Sequence, residues 1–224
     1  MSFNINYYLV PPKFKRFWKE LSQKEFTFLD VGCANGSVLL TKRWFPRCRY
    51  FAIDLADDFL SKTESANIER FYRENLEQSD LADVPDRYFD AIVMAHVIEH
   101  LTNAQDVLAM LTKKLAPGGR MYIEFPSVRS LNLPSARQTL NFCDDPTHVR
   151  VYDVKEVANA LLANGMTVVR AGRRRDWTRV FLAILALPLQ VPSYLRDGRL
   201  GGTGLWDLMG FADFVYARMP ARRD

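Results

Sequence analysis

Three cysteines, Cys33, Cys48 and Cys143, are all the thiols in this 224-residue chain. An odd number in unrelated contexts does not make a disulfide frame, so reduced thiols in a cytoplasmic protein are expected. Histidine is equally scarce, with only His96, His100 and His148. The first twenty residues, "MSFNINYYLVPPKFKRFWKE", lack the apolar core of a signal peptide. A charge-free stretch of sixteen residues, Val180–Leu195, falls short of the about 20 that a spanning helix needs. Pro188 and Pro192 within it are expected to break a helix. Neither sign of charge dominates: 30 Lys and Arg against 26 Asp and Glu give +4, which does not by itself call for a nucleic-acid partner. No internal repeat or low-complexity segment is present.

What remains is an ordinary globular balance, 48% hydrophobic and 25% charged, in a chain long enough for one domain over 1–224. Phe14, Phe17, Trp18 and Leu21 follow Pro11-Pro12 at the spacing of an amphipathic helix, an N-terminal cap over 1–24. Strands are expected at 26–31, 49–55, 70–75, 88–95, 120–126, 166–174 and 210–220, with helices between most of them. Alternation through the first 125 residues predicts βαβ units and a mostly parallel sheet covered on both faces. In such sheets ligands lie beyond the carboxyl ends of the strands. The stretches to search are therefore 30–36, 54–55, 75–76, 95–100 and 126–150.

The first of these, "DVGCANG" (30–36), is neither a dinucleotide loop nor a phosphate loop, because the glycine spacing is wrong and no lysine follows Gly36. Asp30 at its start suits a cationic ligand better than a pyrophosphate. The loop resembles the first motif of class I S-adenosylmethionine-dependent methyltransferases. "RENLEQ", "FDAIVMAHVIEHL", "LAPGGRMYIEFP" and "DDPTHVRVYDVKEVANALLANGM" extend the resemblance in the correct order and spacing. It implies a Rossmann-like doubly wound sheet of seven strands, with the last one antiparallel. It also implies S-adenosylmethionine held by Asp30, Gly32, Cys33, Ala34, Gly36, Asp54, Leu55, Asn75, Leu76, Ala95 and His96. Asp54 would take the ribose hydroxyls, and Asn75 with Leu76 the adenine. Ala34 stands where the family often has glycine, which requires a negative φ there. Cys33 is read as a small packing residue, not a nucleophile.

Methyl transfer to an oxygen needs an acceptor held in line and, for a hydroxyl, a base. All three histidines fall in loops at the expected carboxyl edge. His148, in the irregular segment after strand five, is the expected base or acceptor-orienting group, with His100 beside it. His96, Glu99 and His100 share one face of a helical turn. Together with His148 they resemble the Glu/His metal sites of quinone-biosynthesis O-methyltransferases and small-RNA terminal 2′-O-methyltransferases. Those groups have Glu where this chain has His96, so a divalent metal here would be Zn²⁺ or another transition ion before Mg²⁺.

Residues 175–209 form an apolar insertion before the last strand. It is expected as a lid over the acceptor pocket, with 180–195 open to a bilayer surface or a homodimer contact. Arg170, Arg173, Arg174, Arg175 and Arg179 cluster just before it, as a solvated face or a seat for a phosphate-bearing acceptor. The acceptor is expected to be a small molecule or glycan methylated at oxygen. The rivals are an RNA 2′-O-methyltransferase and a non-catalytic subunit that binds the nucleoside.

Overall fold

Phe26–Val31 forms β1, buried at every position as a strand covered on both faces must be. Its side chains alternate: Leu29 and Val31 join one apolar core, Phe26 and Phe28 the other. The computed structural model describes residues 6–135, 140–197 and 203–221. It adds β2 (Cys48–Asp54), β3 (Arg70–Arg73), β4 (Phe89–Ala95), β5 (Leu115–Pro126), β6 (Thr167–Arg173) and β7 (Ala212–Arg218). Their order across the sheet is β3-β2-β1-β4-β5-β7-β6. β3, β2, β1, β4 and β5 are mutually parallel, and β7 runs antiparallel to both β5 and β6. This is the expected doubly wound, mostly parallel sheet. The strand order reverses between β1 and β4, and the crevice at that switch is where such a sheet receives ligands.

The helices are α1 (Asn6–Leu9), α2 (Pro12–Lys15), α3 (Trp18–Leu21), α4 (Ser37–Trp44), α5 (Lys62–Ser65), α6 (Ala104–Lys114), α7 (Val154–Ala163), α8 (Trp177–Asp197) and α9 (Thr203–Met209). Two departures from expectation matter. The N-terminal cap is not one amphipathic helix: the chain breaks at Phe17, between α2 and α3. Both Phe14 and Phe17 then seat against Phe45, with ring centroids 5.3 and 5.4 Å away. Burying two rings at about 1.5–3 kcal/mol each outweighs the continuity of a short helix.

The second departure is α8, which runs unbroken through Pro188 and Pro192. Each proline removes one i→i−4 donor, but the two are four residues apart and so lie on one side of the helix. Pro188 is exposed, which leaves water to serve the carbonyls that lose a partner. Among the described residues, no helix is long and apolar enough to cross a membrane. Among the described residues of 127–150, the regular structure is two short 3₁₀ turns, Val128–Asn132 and Phe142–Asp144.

Candidate active site

At the carboxyl edge, the loops after β1, β2, β3 and β4 enclose a cavity of about 570 Å³, within the range of small-molecule sites. Gly32, Ala34 and Asn35 come from the first loop, Asp54 and Leu55 from the second, Asn75 and Leu76 from the third, His96 and His100 from the fourth. Phe59, Glu74, Glu77 and Val97 complete much of the wall; Glu74, Glu77 and Val97 fall inside stretches that the resemblance had marked without naming them, and Phe59 alone carried no sequence signal.

Gly32 has a φ of +74°, and a Cβ there would stand 2.2 Å from Cγ2 of Val97. Only glycine fits both the backbone and the space. Gly36 is also left-handed, at +80°, but a Cβ would meet nothing within 4 Å. Its N–H donates to Glu64 Oε1 at 2.7 Å, tying the loop to the capping box that starts α5. Ala34 is not among the residues with positive φ, so the alanine is accommodated without strain. Gly32→Ala is therefore expected to destabilise by about 2–4 kcal/mol, combining left-handed strain with overpacking. Gly36→Ala should lose only about 1 kcal/mol, from the backbone alone. Denaturant melts of the two variants check this, and Val97→Ala should rescue part of the first and none of the second.

Asp54 ends β2 at the cavity, half-buried, with Oδ1 accepting from Leu55 N at 2.7 Å. Burial raises its pKa. Asp30 lies elsewhere. It is 2% exposed, does not line the cavity, and its Oδ2 accepts from Ser37 Oγ at 2.5 Å and Tyr50 Oη at 2.7 Å. This carboxylate braces the start of α4 against β2. Cys33 is likewise buried, with its thiol pushed up to about 12 by burial and by Asp30 and Asp54, which fits packing and not nucleophilic chemistry. Neither Cys33 nor Ala95 lines the cavity.

His96 adopts a left-handed φ of +57°, uncommon for a residue with a Cβ. What holds it is a buried ionic chain. Nδ1 lies 3.2 Å from Glu99 Oε1 and Nε2 lies 3.2 Å from Glu124 Oε1. Glu124 Oε1 also accepts from Arg174 Nη1 at 2.6 Å, and Arg174 Nε donates to Asp207 Oδ1 at 3.1 Å. Tyr122 Oη donates to Glu124 Oε2 at 2.6 Å. Burial opposes the charge on His96, but the two carboxylates outweigh it and lift its pKa to about 9. Burial also opposes ionisation of Glu124, yet Arg174 and His96 hold it well below the carboxylate range. Arg174 is thus a buried member of this chain, not part of a solvated arginine face. On the outer side Trp206 of α9 packs edge-on against the His96 ring, 5.2 Å between centroids.

Glu99, His100 and His148 come together apart from His96, with one ligand-type atom of each within 4.8 Å of the others. His96 stands outside this set because carboxylates engage both of its ring nitrogens. Glu99 O accepts from Val149 and Arg150 N–H at 3.0 and 3.2 Å, which brings the 145–150 loop to the site. His100 Nδ1 donates to Thr147 O at 3.0 Å, and His148 Nδ1 to Phe142 O at 2.7 Å. A carbonyl only accepts, so in each neutral ring Nε2 carries the lone pair. His100 is at the cavity wall, and His148 is not: its ring sits between His100 and Phe142, with centroids 4.9 and 4.6 Å away.

Residues 4–171 match the family described as methyltransferase domain. The chain belongs to that family. Its seven-stranded sheet is that of the class I methyltransferases. An uncharacterised methyltransferase of Schizosaccharomyces pombe is 30% identical over 118 residues, 48% of this chain and 40% of that protein. A ubiquinone biosynthesis O-methyltransferase of Rickettsia bellii is 28% identical over 118 residues, 51% of this chain and 46% of that one. The chain thus spans less than half the length of the curated relatives it matches. Among solved structures, phosphoethanolamine N-methyltransferase 2 of Haemonchus contortus superposes with a TM-score of 0.64 at 12% identity, over 98% of this methyltransferase-family chain and 53% of that one. The N-methyltransferase NodS of Bradyrhizobium japonicum gives a TM-score of 0.54 at 19% identity, over 92% and 88% of the chains.

Proposed function

We propose that this chain transfers a methyl group from S-adenosylmethionine to an oxygen of a small molecule or glycan. The reading is carried by the convergence of Gly32, Asp54, Asn75, Leu76 and His96, from four separate loops, on one cavity. That cavity fits the cofactor in volume, and Gly32, having no Cβ, lets Val97 close against the first loop at its wall. When bound, S-adenosylmethionine supplies an electrophilic methyl on a sulfonium together with its own leaving group. Asp54 accepts the ribose hydroxyls, Asn75 and Leu76 border the adenine, and the 32–36 loop holds the amino-acid portion. Asp30 acts through the loop it braces.

His100, not His148, is the base, because it is the one at the cavity wall; with Nδ1 turned to Thr147 O, its neutral ring offers Nε2 to the acceptor proton. His148 positions it from behind, and α8 with α9 covers the acceptor. The first test is calorimetry with S-adenosylhomocysteine, where no heat of binding would end the reading. With an acceptor in hand, His100→Ala should lower turnover about 10²–10⁴-fold, the usual worth of a positioned base. His148→Ala should lower it by roughly tenfold, and the reverse ranking would return the role to His148.

One observation favours a metal-assisted variant of the same reaction. His100 and His148 each donate Nδ1–H to a backbone carbonyl, the orientation that metal-ligating imidazoles adopt, and Glu99 Oε2 is buried with no hydrogen-bond partner. These three donors fit a transition ion such as Zn²⁺, which would polarise the acceptor oxygen. Elemental analysis of protein purified without an affinity tag decides between the two.

A further inference from the structure

We propose that α8 seats on a bilayer surface rich in anionic headgroups. Trp177, Phe181, Ile184 and Leu185 recur at i, i+4, i+7 and i+8, and are 68%, 61%, 48% and 59% exposed. Leu182 beside them is 52% exposed. Val180 and Ala183 of the same helix are buried against the protein, so the helix is already docked and its apolar stripe is what it presents outward.

Charge selects the occupant. Between Arg170 and Ala186 the chain carries five arginines and one acid, Asp176. That acid is buried and engaged by Lys15 Nζ at 2.5 Å and by Thr178 N at 3.1 Å. Arg170, Arg173 and Arg175 are exposed. Along the chain, the exposed charged residues flanking the tryptophan that opens the stripe are therefore arginines, and no acid follows through Leu195. A Trp/Phe/Leu face with an arginine border suits the boundary between headgroups and acyl chains. A second copy of this chain would bring the same arginines and a net charge of +4, with no anionic counterpart beside Trp177. Because no described helix is fit to span, the contact is with one leaflet. α8 packs against α9, whose Trp206 lies on His96. The bilayer would thus sit beside the cavity and, resting on the methyl-transfer reading, present it with an acceptor carried in the membrane.

Flotation of the full chain tests this, with vesicles of phosphatidylcholine alone and with phosphatidylglycerol mixed in. Wild type should float with the mixed vesicles at low salt and lose that binding as salt rises. Phe181→Ser with Leu185→Ser should abolish it. Replacing Arg170, Arg173 and Arg175 with Glu should weaken it roughly 100-fold or more, since each basic residue near such a surface contributes about fivefold. Failure of wild type to float, or undiminished flotation of the serine variant, would overturn the inference. So would a dimer in light scattering that the serine variant dissolves without any vesicle binding, which would assign the stripe to a second copy. Calorimetry with S-adenosylhomocysteine on the same samples keeps the two readings apart. Protein that binds the nucleoside but does not float ends this inference alone, and protein that floats but does not bind it ends the cofactor reading alone.

Discussion

Asp54→Ala is expected to weaken binding of S-adenosylhomocysteine by roughly 100-fold while the melting temperature stays nearly unchanged. The affinity follows from the acceptor role. A hydrogen bond to a charged group is worth about 1.5–3 kcal/mol, and losing a pair of ribose contacts should remove about 3 kcal/mol, or two decades. The unchanged fold follows from geometry. Asp54 is half-buried at the end of β2, and its carboxylate is bonded to the backbone immediately after it, with no distant side chain among the described residues hydrogen-bonded to it. Burial already disfavours its ionised form, so its removal leaves no unpaired charge behind. Asp54→Asn keeps the shape and one good acceptor, and should lose about one decade. Calorimetry and a thermal melt on the same preparations separate the two effects. An affinity within threefold of wild type in the alanine variant would remove Asp54 from the cofactor site.

Asp54 was legible because it closes a strand, where an acid has no reason to stand unless something beyond the sheet uses it. Asp30 resembled it and behaves differently, for a reason that strand periodicity contains. Val31 still belongs to β1, so Asp30 shares the side of Phe28, facing Tyr50 on the neighbouring strand. The sheet itself was readable because uninterrupted apolar runs alternate with helical stripes, and even the short β3 fell where expected.

What stayed hidden rests on contacts between distant residues. Five arginines within ten positions look like a surface, and it is the contacts with Glu124, fifty residues earlier, and Asp207, far along the chain, that show Arg174 to be interior. The sole hint was an acid inside the apolar run "MYIEFP". The rank order of His100 and His148 depends on which ring reaches the cavity, and spacing is silent on that. The continuity of α8 at Pro188 depends on that residue facing water, which sequence order does not tell.

The same buried chain supplies the other large effect. Arg174→Met should destabilise the fold by about 3–5 kcal/mol, because it leaves Glu124 and Asp207 charged in the interior without their cation. For a chain of this size that corresponds to a fall in melting temperature of about 6–20 °C. The pair is not a simple gain over apolar packing. Removing both partners should hurt less than removing one, so Arg174→Met combined with Glu124→Gln should recover part of the loss. His96 keeps Glu99 in that double variant, which preserves one of its two anchors. A purely structural role would leave nucleoside affinity untouched once the protein is folded. Here His96 lines the cavity from a strained backbone conformation that this chain secures, so folded Arg174→Met at low temperature should also bind S-adenosylhomocysteine more weakly. Full affinity in that folded variant would mean that the ionic chain anchors α9 to the sheet and does nothing for the site.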